Sequence, residues 1–264
     1  MQNWTIRKIR EAKNTTPLAT ITAYDAITGR LADAAGAALI LVGDSLGTTA
    51  LGFSTTIPVT MEIMLHHVAA VRRSVHNAVV VADMPFLSYQ TSTETALRNA
   101  GRFMQEAGAD AVKLEGGAIR TDLIRTLVDN GIPVMAHIGV LPQSVKTSGY
   151  AAQGGTETEN ERLKMDALAV AEAGVFCTVL ECVRENTARE LTACSPVPTI
   201  GIGSGVHCDG QIIVIADLLG LTEPPLPKFV KPYAQCGTTA QTAIEAYIAD
   251  VHQRKYPDAE HTYQ

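Results

Sequence analysis

The chain has 264 residues, of which 46% are hydrophobic and 18% charged, with a formal net charge of −6. That is the composition of an ordinary globular protein long enough to bury a sizeable core. No basic run stands out, which disfavours nucleic-acid binding, because phosphate contacts need clustered Lys and Arg. No apolar run approaches the ~18 residues of a membrane span. The charges of the first ten residues recur too often for the apolar core of a secretory signal.

The N-terminal stretch reads as a helical segment ahead of the first strand. Eight apolar runs then follow, each bounded by turn signals: residues 18–25, 38–45, 78–86, 111–117, 133–140, 176–183, 198–205 and 211–220. Most are near-continuous in Val, Ile, Leu and Ala, as parallel strands buried on both faces require. Helical stretches fall between most of them, at 27–36, 61–74, 93–108, 119–130, 159–174 and 185–194. Several stop at Gly or Asn, both favoured helix ends. The gap between the seventh and eighth runs has room for only a turn. A last helix at 239–251 would close a ring. This alternation predicts a single-domain (β/α)8 barrel, a TIM barrel, spanning residues 1–264, with an open doubly wound sheet as the runner-up. The Pro-rich stretch 221–232 is expected to pass over the mouth. The Gly/Ser/Thr-rich stretch 144–158 is expected to be a lid loop.

Nearly every run ends in a polar or ionisable residue: Asp25, Asp44 and Ser45, Asp83, Lys113 and Glu115, His137, Glu181, Ser204 and Asp217. The strand C-termini of such a barrel converge on one mouth, where active sites sit. An acidic residue at a strand end is often just a helix N-cap, and Asp25 and Asp217 fit that reading. Asp83 and Glu115 do not, since they lie within apolar runs where an unpaired charge is costly. Three carboxylates at one mouth suit a hard cation such as Mg2+, which keeps several waters. The spacings of a zinc site are absent. His66 and His67 read as a solvated helix surface beside Arg72 and Arg73.

Two other motifs compete. Gly43-Asp44-Ser45-Leu46-Gly47 matches a nucleophile elbow and an esterase signature, with Asp258 and His261 as late partners. Those two lie in a polar tail, and no Gly-x-Asn-Asp block accompanies them. Gly201-Ile202-Gly203 could suggest a phosphate loop, but its spacing differs from the dinucleotide pattern and tight backbone explains it better. The five cysteines, Cys177, Cys182, Cys194, Cys208 and Cys236, form no Cys-x-x-Cys pair and read as reduced thiols in a cytoplasmic protein. Cys182 adjoins Glu181 but reads as an apolar filler.

The blocks Ala19–Asp25, Leu41–Gly47, Ala82–Phe86, Val112–Gly117, Pro142–Val145, Leu180–Val183, Gly201–Gly203 and Asp209–Gln211, with Lys228–Lys231, occur in this order. Together they closely resemble the 3-methyl-2-oxobutanoate (ketopantoate) hydroxymethyltransferase family over residues 15 to 255. The resemblance implies transfer of a hydroxymethyl group from 5,10-methylenetetrahydrofolate to 3-methyl-2-oxobutanoate, giving 2-dehydropantoate for pantothenate synthesis. It implies Asp44, Asp83 and Glu115 as Mg2+ ligands, directly or through water. It implies Asp44, Ser45, Asp83, Lys113 and His137 as substrate-binding residues, and Glu181 as the base. It also implies a cytoplasmic homo-oligomer, often a decamer. The sequence departs from the family's Gly-Gly-Tyr-Lys-Val-Gln-Gly-Arg segment, where Ala151 and Gly155 stand for the Lys and Arg. Arg184 stands where the family often has Pro. A related metal-dependent lyase or mutase is a second enzymatic reading, but the stretch after the fourth run, Gly116–Ile119, lacks the Cys of those enzymes. A scaffold without activity would have lost its charged strand ends.

Overall fold

The apolar runs become eight parallel strands in the computed structural model, which describes residues 3–145 and 149–264. They are β1 Leu18–Thr22, β2 Leu39–Val42, β3 Val79–Asp83, β4 Ala111–Glu115, β5 Val134–Gly139, β6 Cys177–Glu181, β7 Thr199–Ile202 and β8 Gly210–Ile213. Each pairs with the next, and β8 pairs with β1 from Leu18↔Gly210 to Ile21↔Ile213. The sheet is thus a closed barrel, which removes the open doubly wound alternative.

The helices are α1 Ile6–Glu11, α2 Ala26–Ala34, α3 Leu46–Thr49, α4 Met61–Arg72, α5 Thr93–Gln105, α6 Thr121–Asp129, α7 Glu157–Glu172 and α8 Glu185–Cys194. Thr5, Asp25, Thr60, Ser92 and Thr156 cap their N-termini by accepting a backbone N–H. Each such cap stabilises its helix by about 1 kcal/mol. Asp25 forms a full capping box with Thr28, so this strand-end carboxylate terminates a helix. Residues 203–209 between β7 and β8 form turns and bends, as the short gap predicts.

The interior shows how the mouth arises. Leu39 and Leu41, Val79 and Val81, Ala111, Met135, Cys177 and Val179, Ile200 and Ile212 share one apolar cluster with Ile9 of α1. These are alternate residues along their strands, so they point to one side of the sheet. Continuing the same alternation gives Asp83 on β3, Lys113 and Glu115 on β4, His137 on β5 and Glu181 on β6. The inward series therefore changes from apolar at the strand N-terminal ends, where Trp4, Ile6 and Ile9 pack, to ionisable at the C-terminal ends.

The contacts of the chain divide after Val214. The first unit holds the whole barrel. The second, Ile215–Gln264, holds α9 Ile215–Leu218 and α10 Cys236–His252. The expected eighth strand over 211–220 is corrected here. It ends at Ile213, and Asp217 sits on α9, where its carboxylate accepts the Thr222 hydroxyl at 2.6 Å. The run Ile215-Ala-Asp-Leu-Leu is equally apolar in either conformation, so periodicity could not separate helix from strand. No helix among the described residues is long and apolar enough to cross a membrane.

Candidate active site

Asp83 and Lys113 are register partners on β3 and β4, so their side chains enter the mouth side by side. The Lys113 ammonium donates to both Asp83 oxygens, at 2.8 and 2.9 Å, and both side chains are buried. Burial alone would discharge the lysine. The surrounding Asp83, Glu115 and Asp44 carboxylates outweigh it and hold the ammonium charged, with its pKa raised. The turn after β2 brings Asp44 to the same place, and its backbone N–H donates to Asp83 Oδ2 at 3.2 Å. A Cβ at Gly43 would come within 2.8 Å of the Ser45 Oγ, so a larger residue there would displace that hydroxyl.

Asp44 and Glu115 complete an acidic wall. Burial and the Asp83 charge push the Asp44 carboxyl up to about 7, against the pull of Lys113. Burial likewise pushes Glu115 well above the usual carboxylate range, again with Lys113 opposing. Gln143 lies between the two. Its amide Nε2 donates to Asp44 Oδ2 at 2.9 Å, and its backbone N–H donates to Glu115 Oε2 at 3.1 Å. Glu115 Oε1 is buried and has no hydrogen-bond partner among the described residues.

The β5–β6 side is built differently. His137 Nε2 is 3.4 Å from Glu181 Oε2, and its Nδ1 is 3.8 Å from Glu115 Oε1. Both ring nitrogens are buried without a hydrogen bond among the described residues. Burial, and then Lys113, push the imidazole pKa well down, so the ring is neutral. Glu181 is raised to about 7 by burial, with Lys113 opposing and Asp44 and Asp83 adding. Its side chain keeps 20% exposure, against 2% for Asp83, Glu115 and His137. Gly139 permits this placement: its φ is +98°, and a Cβ would lie 2.3 Å from the Glu181 carbonyl oxygen. The neighbouring Cys182 thiol is pushed up to about 11 by burial and Glu181, which keeps it protonated and unsuited to nucleophilic work.

Ser45 binds no histidine. Its hydroxyl is 2.9 Å from the Tyr24 hydroxyl, which also accepts from Thr22 at 2.9 Å. The His67 ring is 2.6 Å from the Tyr24 carbonyl through Nδ1, so the solvated-surface expectation is corrected for His67. His66 remains exposed. Ser204 bonds to the backbone of Val183 and Leu180 and is structural. Tyr24, Tyr89 and Gln143 were not singled out as site residues. Of these, only Tyr24 and Gln143 lie in sequence blocks that carry the resemblance.

The expected lid loop 144–158 includes residues 146–148, which lie outside the described residues. Tyr150 is raised by burial and by Glu181, Asp44 and Glu115, so it is within electrostatic reach of the mouth. Gln153 bridges to β6, accepting from Arg184 N and donating to the Cys182 carbonyl, both at 2.9 Å. The Arg184 side chain lies over Gly155, where an added Cβ would meet Nε at 3.0 Å.

The sequence-predicted Asp44, Ser45, Asp83, Lys113, Glu115, His137 and Glu181 thus share the β1–β6 side of the mouth. Among the described residues no three Asp, Glu, His or Cys side chains form a ready metal cage, and Asp83 is taken up by Lys113. The donor set still fits a hard cation of the Mg2+ type, which is held by one or two carboxylates with the rest of its shell from water and substrate. The crowded Asp44 and Glu115 carboxyls, and the unpartnered Glu115 Oε1, are where such a charge would be accommodated.

Comparison with known proteins points one way. The ketopantoate hydroxymethyltransferase family model matches residues 3–259. A 3-methyl-2-oxobutanoate hydroxymethyltransferase of Moorella thermoacetica is 54% identical over 245 residues, covering 92% of this chain and 91% of the relative. One from Carboxydothermus hydrogenoformans is 49% identical over 265 residues, covering 100% and 96%. Among solved structures, 2,3-dimethylmalate lyase superposes with a TM-score of 0.63 at 15% identity, covering 99% of this chain and 90% of that one. Phosphoenolpyruvate phosphomutase from Streptomyces platensis subsp. rosaceus gives 0.61 at 15%, covering 94% and 88%. At that identity the two structures share the fold alone.

Proposed function

This chain belongs to the ketopantoate hydroxymethyltransferase family and is a hydroxymethyltransferase, and from that premise we propose how its mouth performs the transfer. The acceptor is 3-methyl-2-oxobutanoate, the one-carbon donor is 5,10-methylenetetrahydrofolate, and the product is 2-dehydropantoate. The carrying observation is the asymmetry of the mouth. A fixed, charge-paired wall of Asp83, Lys113, Asp44 and Glu115 faces a carboxylate, Glu181, that has no hydrogen bond among the described residues and is raised to about 7 chiefly by burial.

In this reading Lys113 and Ser45 bind the acceptor's carboxylate by charge and hydrogen bonding. Asp44, Asp83 and Glu115 would hold Mg2+ or a similar ion, directly or through water, and such an ion would supply Lewis acidity toward the keto acid. Glu181 accepts the C3 proton. A base with a pKa near the working pH combines availability with driving force, and burial puts Glu181 in that range. Water adds to the folate's methylene carbon and both C–N bonds break, releasing tetrahydrofolate and a one-carbon carbonyl at the formaldehyde level. The carbanion equivalent at C3 forms the new C–C bond to that carbon, whose oxygen takes up a proton and becomes the product's hydroxyl. Neutral His137, 3.4 Å from Glu181, lines the same pocket. The five cysteines are all free, in keeping with a reducing cytoplasm. A homo-oligomer, decameric as in the family, is part of the proposal.

Product formation from 3-methyl-2-oxobutanoate, with and without the folate donor and with Mg2+ or EDTA, tests this reading. Folate-dependent product that EDTA abolishes supports it. Undiminished product under EDTA would remove the metal, and cleavage of 2-methylmalate-type acids would favour a lyase.

A further inference from the structure

We propose that Gln143 is a positioning residue that sets the two carboxylates most available to a divalent cation, with Tyr89 setting Gln143 in turn. The inference rests on reading Asp44 and Glu115 as metal ligands.

Gln143 sits in the short 3-10 turn Pro142–Ser144 that opens the loop after β5. It is buried, at 4% exposure, so its amide must find partners within the protein. It finds them at both ends. Nε2 donates to Asp44 Oδ2 and to the Met84 carbonyl, each at 2.9 Å. Oε1 accepts from the Tyr89 hydroxyl at 2.8 Å and from Gln90 Nε2 at 3.2 Å. Two acceptors face the nitrogen and two donors face the oxygen, so the partners fix which way round the amide lies.

The bonds close into a circuit. The Glu115 N–H donates to Tyr89 Oη at 3.2 Å, and Tyr89 donates on to Gln143 Oε1. Gln143 returns to the same residue through its backbone N–H on Glu115 Oε2. One residue therefore fixes one oxygen of Asp44 by its side chain and one oxygen of Glu115 by its main chain. Glu115 Oε1 is the oxygen left unpartnered among the described residues. A space-filling glutamine would satisfy itself on backbone groups. This one spends a donor on a carboxylate that the neighbouring Asp83 already crowds. Hydrogen bonds to the free oxygens of metal-binding carboxylates orient them, and losing such a partner typically weakens metal affinity about 10–100-fold.

The test is titration of the whole protein with Mn2+, followed by the electron paramagnetic resonance signal of the free ion, without substrate. Melting temperature is measured alongside to establish that each variant is folded. Gln143→Met, similar in volume but unable to donate, is expected to raise the Mn2+ dissociation constant at least about tenfold. Tyr89→Phe is expected to raise it about threefold in the native background and by clearly less in the Gln143→Met background, where only the direct bond from the Glu115 N–H is left to lose. A purely structural role for Gln143 would lower the melting temperature without producing this non-additivity. If the native protein binds no Mn2+, the ligand reading itself fails. If it binds Mn2+ and both single variants bind it equally well, the positioning role fails. If Gln143→Met does not fold, Tyr89→Phe decides alone, with native affinity overturning the proposal.

Discussion

The two walls of the mouth share the same barrel and the same burial, yet they are held in opposite ways. On the β2–β4 wall the polar groups interlock: Asp83 with Lys113 and with the Asp44 N–H, and Asp44 with Gln143. On the β5–β6 wall, the closest approaches of His137 to Glu115 and Glu181 are 3.8 and 3.4 Å, and no hydrogen bond holds the Glu181 carboxylate among the described residues. The difference suits the two tasks proposed for these walls. A wall that binds a fixed anion gains from groups immobilised beforehand. A base must change protonation state during the reaction, and strong partners for its charged form would lower its pKa and oppose that change. Burial, helped by the Asp44 and Asp83 charges and opposed by Lys113, brings Glu181 to about 7.

The largest effect is expected from breaking the interlocked wall. Lys113→Met leaves Asp83, Asp44 and Glu115 buried without their cation. Removing one partner of a buried pair costs about 3–5 kcal/mol, so urea unfolding at neutral pH is expected to show a loss of at least ~3 kcal/mol. The sign with pH follows. Carboxyls whose folded pKa is raised destabilise the fold above their unfolded pKa, near ~4, and not below it. The deficit is therefore expected to shrink as pH falls toward that value. A loss below ~1 kcal/mol would mean the wall is not held by this pair. The contrasting change, Glu181→Gln, is expected to hold or raise stability at neutral pH, since it removes a carboxylate whose pKa burial has raised.

A smaller effect is expected from pH on the other wall. As the proposed base, Glu181 must be a carboxylate, so the rate of C3 proton removal is expected to fall about tenfold per pH unit below about 7 and to level off above it. A flat profile from pH 5 to 8 would place the base elsewhere. The smallest effect is expected at the edge of the binding wall. Tyr24→Phe removes one neutral hydrogen bond from Ser45, worth about 1 kcal/mol. The KM for the keto acid should rise about fivefold with kcat little changed. An equal fall in kcat instead would show that Ser45 acts in the chemical step.

The binding wall was more legible in the sequence than the way it is held. Asp83, Lys113 and Glu115 stand out because charges interrupt apolar strands, and alternation along the strands then points them inward. The strand ends were overrun. The run 18–25 continues past the β1 ladder, which ends at Thr22, because Ala23 and Tyr24 are apolar and buried without being paired as strand. Strand eight was overrun for the related reason that α9 is an apolar run. Gln143 and Tyr89 escaped because a neutral amide and a phenol in loops have no periodicity and no charge to mark them. Their role depends on distances between β3, β4 and the turn after β5, which only the closed barrel sets. The partial replacement around Gly155 and Arg184 is similar, since residues far apart in sequence meet only across the loop and α8.

The central claim is that the interlocked wall binds while Glu181 takes the proton. Exchange of the C3 proton of 3-methyl-2-oxobutanoate in deuterated water, followed by proton NMR without folate, tests it most directly. The native protein with Mg2+ is expected to catalyse exchange. Glu181→Gln is expected to lose at least about a hundredfold in rate while still binding the keto acid. Exchange at the native rate in that variant would contradict the claim.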